Sequence, residues 1–455
     1  MGITHSSVVP ARIEDVFAWH GRPGAFARLS PPWLPVRLRV ESDSLKDGEA
    51  ILGLPGGLTW VSRHDPNGYR PPHQFVDAIA SDGIASVPVH AVLRWRHTHE
   101  FAESGASSTR VTDRVQTPLG SHLLRPMFIY RHRQLADDLA AHRWATEHGA
   151  GPVTIAVTGS SGLVGSALGA FLTSGGHRVI RLVRRQARGD DERRWDPMRP
   201  DPALLEGIDA LVHLAGESIA GRFTPARKRA IRDSRVEPTR LLCELAATTP
   251  SGPRTVVVAS AIGYYGADRR DELLSEDSGP GEGFLAHAVA DWEAATRPAA
   301  EHGIRVTNVR TGIVQSPRGG TLRLFRPLFA LGLGGRISTG RQWVSWIDLD
   351  DLVDIYNRAL FDTNLSGPVN AVAPAPVRNG DYARTLARVL NRPALLPVPD
   401  FGPKLILGDE GSRELAHAGQ KVISTKLQRS GHHFRHADLE NSLRHQLGRV
   451  LLPRQ

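Results

Sequence analysis

The sequence predicts a doubly wound, parallel α/β sheet over residues 152–394, preceded by an α+β domain over 1–147 and followed by a small subdomain over 395–455. Three observations predict this. From Pro152 onward, short apolar, β-branched runs alternate with amphipathic helical stretches, the rhythm of strands joined by crossover helices. The first of these runs, 153–158, leads directly into glycines spaced Gly159-x-x-Gly162-x-x-Gly165. Before residue 147 the texture differs, with short stretches alternating apolar and polar residues as half-buried antiparallel strands require.

The glycine run is the most informative element. A strand ending in such a turn lets backbone N–H groups approach a pyrophosphate without interference from Cβ, and a helix over 163–174 presents its positive end to the phosphates. Gly159, Ser160, Ser161, Gly162, Leu163, Val164 and Gly165 are therefore assigned to a dinucleotide. The next strand, 177–185, ends in Arg184 and Arg185, where a unit selecting NAD would carry a carboxylate for the ribose 2′-hydroxyl. A guanidinium grips a 2′-phosphate through paired hydrogen bonds, so the expected cofactor is NADP. The competing readings of this arginine-rich stretch, which runs on through Arg188, Arg193 and Arg194, are a solvated loop and a nucleic-acid patch. No aromatic interleaving accompanies it, and no nucleic-acid partner is assigned.

Composition bounds the rest. The 455 residues carry a net charge of +9 from arginines scattered along the chain, which favours anionic ligands. No 18-residue apolar span exists and the N-terminus lacks the apolar core of a signal peptide, so no membrane span and a cytoplasmic location are expected. Cys243 is the only cysteine, which excludes an intrachain disulfide and a thiolate-rich zinc site. It reads as a small buried hydrophobe. The expected partner is a small-molecule substrate, and the oligomeric state stays open.

In the first 147 residues, strands are expected near 36–40, 91–96 and 108–115. A helix over 126–144 carries Met127, Ile129, Tyr130, Leu135 and Leu139, and 147–152 reads as a linker. The segments 10–20, 29–33, 75–77 and 95–101 resemble the START-like helix-grip superfamily, of the polyketide cyclase or SRPBCC type. That resemblance implies a curved sheet wrapping a helix around an apolar cavity, with an apolar ligand and with Trp33, Trp60, Phe75 and Trp95 available as lining. His97 and His99 share one face of a strand, an arrangement that invites a metal ion. No third ligand lies nearby in sequence, so they read as packing histidines and no metal is assigned.

Further strands are expected at 209–215, 255–260 and 304–310, with helices over 225–248 and 284–302 between them. This Rossmann-type pattern resembles the extended, epimerase-like branch of the short-chain dehydrogenase/reductases. It is most similar to a group of nucleoside-diphosphate-sugar epimerases whose members carry a short C-terminal domain and, in some cases, a fused START-like domain. The carrying residues are the glycine run, the segments 213–216, 260–266 and 310–314, and Trp346 through Leu352. The resemblance implies cofactor contacts at Leu214, Ala215, Gly216, Glu217, Ser260, Thr311 and Gly312.

The same resemblance exposes a departure. Standard members use a Tyr-x-x-x-Lys pair as acid and base. Counted back from Trp292-Glu293, those positions fall on Leu285 and Val289, neither of which moves a proton. The usual hydroxyl partner falls on Ala261 or Ser260, depending on whether Tyr265 or Tyr264 is taken as reference. Ser260, Tyr264 and Tyr265 become the catalytic candidates, with His287 and Glu217 behind them. Two functions follow: an NADP-dependent epimerase-like oxidoreductase acting on a small or nucleotide-linked carbonyl compound, or a non-catalytic NADP sensor and hydrophobic-ligand-binding protein.

Overall fold

The computed structural model describes residues 2–394 and 396–449. The chain divides into two compact units, one containing Met1–Glu147 and taking in Gly169–His177, the other containing His148–Leu168 and Arg178–Arg444. Residues 396–444, expected as an appended subdomain, fall within the second unit.

The first unit is built on a seven-stranded antiparallel sheet: β1 (Gly2–Val9), β2 (Arg37–Val40), β3 (Glu49–Gly53), β4 (Thr59–His64), β5 (Gln74–Ala80), β6 (Arg96–Glu103) and β7 (Thr109–Gln116). The spatial order is β1-β7-β6-β5-β4-β3-β2. Alternate residues of β6 and β7 are buried, among them His97, His99 and Phe101, and Val111, Asp113 and Val115, so one face of the sheet is the core face. The helix Ser121–Glu147, longer at both ends than the sequence suggests, packs Leu124, Phe128, Leu135 and Leu139 onto that face.

The core of this unit splits into two apolar clusters. One gathers Val9, Phe17, Trp19, Phe75, Phe101 and Val111; the other gathers Ile3, Ile79, Trp95, Val115 and Phe128. Register places polar residues on the rows between them: His5 opposite Asp113, Asp113 opposite His99, and His97 opposite Asp77. The aromatic residues expected as cavity lining make ring contacts with their neighbours, Trp60 with Trp95 at 5.1 Å, Trp33 with Tyr130 at 5.2 Å and Phe75 stacked on His99 at 4.1 Å.

One expected strand is a helix. Residues 91–96 read as alternating, but Val87–Leu93 is helical and β6 begins only at Arg96. Pro88 sits in the first helical turn, where its missing N–H costs nothing, and Arg94 ends the helix in the left-handed region at φ 42°.

The second unit carries a parallel sheet of β8 (Thr154–Thr158), β9 (Arg178–Val183), β10 (Glu192–Arg194), β11 (Ala210–His213), β12 (Thr255–Ala261) and β14 (Arg305–Thr311), with Gly367–Ala371 as the seventh strand. The order is β10-β9-β8-β11-β12-β14 and then Gly367–Ala371. It reverses direction at β8, so ligands are expected at the carboxyl ends of β8 and β11. Two expected helices are each broken in two: Pro225–Asp233 is followed by Val236–Thr248, and Phe284–Ala294 by Arg297–Glu301. Pro238 and Pro298 fall in the first turns of the second pieces, positions proline suits.

The C-terminal segment is joined to this unit through β13 (Asp268–Leu274), which pairs in parallel with Gly419–Val422. Carboxylates complete the join. Glu276 accepts from the Asn370 amide, the Ser424 hydroxyl, and the Thr425 amide and hydroxyl, at 2.6–3.1 Å. Burial alone would raise its pKa, but these bonds, Thr425's foremost, hold it below the ordinary value. Asp351 accepts from the amides of Arg435 and His436, and Glu414 from those of Phe284 and Leu285. Among the described residues, no helix is long and apolar enough to cross a membrane.

In the first unit the short helix Ala25–Leu29 is tied to the long helix by a bidentate pair, Arg28 to Asp138 at 2.7 and 2.8 Å, with side-chain exposures of 5% and 0%. Removing one partner of such a pair strands a buried charge. Arg28→Ala is expected to destabilise the protein by about 3–5 kcal/mol. Arg63→Ala, which breaks the exposed pair with Glu49, is expected to cost less than about 1 kcal/mol. Urea unfolding of both variants beside wild type measures the contrast.

Candidate functional site

The site is built at the carboxyl ends of β8, β11, β12 and β14. Gly159 follows β8 at φ +66°, and a Cβ there would lie 2.8–2.9 Å from the backbone of Leu214 and Ala215. A Cβ on Gly165 would lie 2.3 Å from the Gly159 carbonyl oxygen. The turn closes with the Gly162 amide donating to that same oxygen at 3.0 Å, and the helix Leu163–Ser174 starts from it. Ser161 is exposed, and Ser160, Leu163 and Val164 are half-buried. This is a cradle whose shape glycine alone permits, and it fits a pyrophosphate.

The facing loop is anchored to the cradle by one hydroxyl. Thr158 Oγ1 accepts from the amides of Leu214 and Ala215 at 3.0 and 3.1 Å, which directs its own proton to His213 Nδ1 at 2.7 Å. Burial, and secondarily Arg235, pushes the His213 pKa down to about 4, so the ring is neutral at physiological pH. Further along, Arg235 packs over Gly216 and donates to the Glu217 carbonyl at 2.8 Å, while Arg227 pairs with the Glu217 carboxylate at 2.9 Å. Glu217 is thus engaged with its own loop.

Arg184 and Arg185 have different fates. Arg185 makes two 2.6 Å contacts to Glu192, which also accepts the Arg188 amide. Arg184, one residue past β9, is exposed and makes no ion pair among the described residues.

At β12 the structure brings the catalytic candidates together and separates their roles. Ser260 is 4% exposed and donates to Glu293 Oε1 at 2.6 Å; Glu293 in turn holds Arg310 through two 2.8 Å bonds. Burial opposes the charge on Arg310, but Glu293 outweighs it and raises its pKa. Arg310 donates to the Tyr265 hydroxyl at 2.9 Å, and that hydroxyl also lies 2.7 Å from Asn370 Oδ1 and 2.9 Å from the Ser275 carbonyl. Tyr265 is fully buried, burial raises its pKa, and its hydroxyl is engaged by these three partners. Tyr264 is half-exposed, its ring 3.6 Å beneath the Arg310 guanidinium, and its hydroxyl makes no hydrogen bond among the described residues.

Leu285 and Val289 lie on the helix Phe284–Ala294, where a Cβ on Gly263 would meet them at 3.7 and 4.0 Å. The place beside the β12 loop is therefore filled by hydrocarbon. His287 is exposed on the same helix. Thr311 and Gly312 follow at the end of β14, and the approach of the Ser345 carbonyl leaves no room for a Cβ on Gly312.

Sequence reasoning missed Glu293 as the bridge between Ser260 and Arg310. A cleft of about 440 Å³ opens at the segment 340–346, whose Gly340 and Arg341 line it and whose residues suggest a substrate pocket from the sequence. Arg336, Arg341, Arg378 and Arg384 line the cleft with Asp271 and Asp381, a surplus of cations. Arg378 pairs with Asp271 and stacks on Trp343, whose indole N–H donates to the same aspartate at 2.8 Å. The four arginines are scattered over nearly fifty positions in which acids are as numerous as arginines, so no local surplus of charge signals the cleft.

Residues 155–371 match the sequence profile of the NAD dependent epimerase/dehydratase family, and 398–446 match a domain of unknown function, DUF1731. An epimerase family protein of Mycobacterium bovis, Mb2239, is 44% identical over 292 residues, which cover 64% of this chain and 96% of that protein. The chain belongs to the epimerase family. The family binds a nicotinamide dinucleotide, and the cradle described above has the shape for one. A crystal structure of the nucleoside-diphosphate sugar epimerase from Corynebacterium glutamicum superposes with a TM-score of 0.86 at 42% identity, covering 98% of this chain and 90% of that one. Its match therefore takes in the N-terminal sheet as well. Human SDR39U1 (isoform 2), crystallised with NADPH, matches with a TM-score of 0.61 at 30% identity, over 65% of this chain and all of that one.

Because the Gly165 Cβ would collide with backbone, not with a movable side chain, Gly165→Ala must deform the turn. It is expected to weaken NADPH and NADH alike by tenfold or more, about 1.4 kcal/mol at least, in calorimetric titration.

Proposed function

We propose that the chain is an NADP(H)-dependent, epimerase-like oxidoreductase acting on a small anionic carbonyl compound, nucleotide-linked or otherwise phosphate-bearing. The observation that carries the cofactor choice is Arg184, an exposed guanidinium without an ion-pair partner among the described residues at the end of β9, where the ribose is read. Arg185, held by Glu192, shapes that loop and does not compete for the phosphate. The NADPH in the human relative's structure supports the same choice. The arginine cleft supports an anionic substrate, since guanidinium groups pair with phosphate oxygens bidentately.

NADPH, when bound, supplies hydride to a carbonyl carbon. In this reading the glycine turn holds the pyrophosphate, Arg184 holds the 2′-phosphate, and Ser260, Glu293 and Arg310 fix the floor beneath Tyr264. Tyr264 is the hydroxyl left to deliver a proton to the carbonyl oxygen. Hydrocarbon at Leu285 and Val289 favours a second reading, an NADP sensor without turnover. For the N-terminal domain we keep the helix-grip reading, supported by the antiparallel order and the long terminal helix. The polar rows between its apolar clusters weigh against a wholly apolar cargo.

Arg184→Ala is expected to weaken NADPH by about ten- to a hundredfold, the worth of a charge-assisted contact, while leaving NADH within about threefold. Arg185→Ala is expected to change both nucleotides together by loosening the loop. Calorimetry on wild type and both variants tests this, and a wild type that prefers NADH would overturn the cofactor assignment. For the reaction, loss of nicotinamide absorbance is followed across a panel of sugar-nucleotide and phosphorylated carbonyl compounds. Tyr264→Phe is expected to lower kcat by about 10²-fold or more with NADPH affinity unchanged. Tight NADPH binding with no consumption across the panel would favour the sensor.

A further inference from the structure

The polar rows of the N-terminal sheet converge on one point. Asp77 on β5 and His97 and His99 on β6 bring three potential ligand atoms within 4.8 Å of one another, and both histidines are 4% exposed. His97 Nδ1 lies 3.6 Å and His99 Nε2 3.4 Å from the same oxygen, Asp77 Oδ2. These spacings are long for hydrogen bonds. They match the edge of roughly 3.3–3.4 Å that ligands take around a tetrahedral Zn²⁺ bound at about 2.0–2.1 Å.

The surrounding groups fit the same reading. The other ring nitrogens, His97 Nε2 and His99 Nδ1, lie 3.0 and 2.8 Å from a single carboxylate oxygen, Asp113 Oδ1. That is the outer-shell partner that turns a histidine's free lone pair toward a metal. Asp113 Oδ2 is met by His132 Nε2 at 3.0 Å, whose Nδ1 is 2.7 Å from the Ser7 hydroxyl, and Asp77 Oδ1 accepts from Ser62 at 2.6 Å. With both histidines protonated toward Asp113, two lone pairs and an anionic oxygen face one another in the core. Asp113 is buried and Asp77 half-buried, and among the described residues neither pairs with a lysine or arginine. A divalent cation balances both charges and satisfies all three facing atoms. We infer that Asp77, His97 and His99 form a binding site for a divalent transition-metal ion of the Zn²⁺ class, oriented by Asp113. Three protein ligands leave a fourth position for water or another donor. This site stands on the N-terminal unit alone and is independent of the cofactor reading.

The test uses tag-free, full-length protein stripped with a chelator and titrated with Zn²⁺ against a chromophoric competitor, and with Co²⁺ followed by its visible absorption. One equivalent per chain at micromolar affinity or tighter is expected, with the intense visible bands of tetrahedral Co²⁺. Asp77→Asn and His99→Gln, each checked for folding by circular dichroism, are expected to lose at least a hundredfold in affinity. Asp113→Asn is expected to lose about ten- to a hundredfold. Should the variants fail to fold, X-ray absorption of Zn²⁺-loaded wild type decides, with two imidazoles and oxygen in the first coordination sphere expected. Wild type that takes up no stoichiometric Zn²⁺ or Co²⁺, folded variants that retain it, or an absorption spectrum without histidine overturns the site.

Discussion

The second unit is organised around the place where β8 stops. There the backbones of Gly159 and of Leu214–Ala215 come so close that a single methyl group would part them, and the Thr158 hydroxyl bonds both amides across the gap. Two neighbouring strands are thereby held with their ends level. Everything displayed on that edge inherits its position from this junction: the phosphate turn, the Arg235-braced loop, and beyond β11 the Ser260 floor. The cost is borne by His213, whose Nε2 is buried without a hydrogen-bond partner among the described residues while its Nδ1 orients Thr158.

What could be read from sequence follows from how far apart the cooperating residues are. The cradle was legible because strand, turn and helix are consecutive and each glycine has a local steric reason. So was the absence of a tyrosine and lysine pair, since Leu285 and Val289 sit at fixed helical spacing. Arg184 and Arg185 could not be told apart, because only the return of the chain at Glu192 decides which is engaged. Tyr264 and Tyr265 are adjacent in sequence, yet their opposite burial is set by Arg310 and Asn370, both distant in the chain. In the N-terminal sheet, His97 and His99 showed themselves by alternation. Asp77 and Asp113 could not join them until the registers of β5, β6 and β7 were known. The helix Val87–Leu93 eluded a reading by alternation because its valines and leucine suit either structure until Pro88 is weighed.

Both units solve the problem of buried charge by sharing. Glu293 serves Ser260 and Arg310 together, and Asp113 serves three histidines. A carboxylate with two oxygens and several lone pairs is an economical organiser in a low-dielectric interior, provided every lone pair finds a donor. Such clusters define one arrangement of side chains more sharply than apolar packing does, and they sit where geometry matters most.

The same economy gives Glu276 an unusual place in the life of the chain. Its oxygens are claimed mainly by residues 424 and 425, synthesised about 150 positions later. Asp351 likewise waits for the amides of Arg435 and His436. Until those donors emerge from the ribosome, each carboxylate must stay hydrated, and the surface that will receive the DUF1731 segment stays open to water. The epimerase unit therefore cannot complete these two carboxylate sites before the C-terminal segment has been made. The last bonds of this join need amides and hydroxyls that are among the latest parts of the chain to be synthesised.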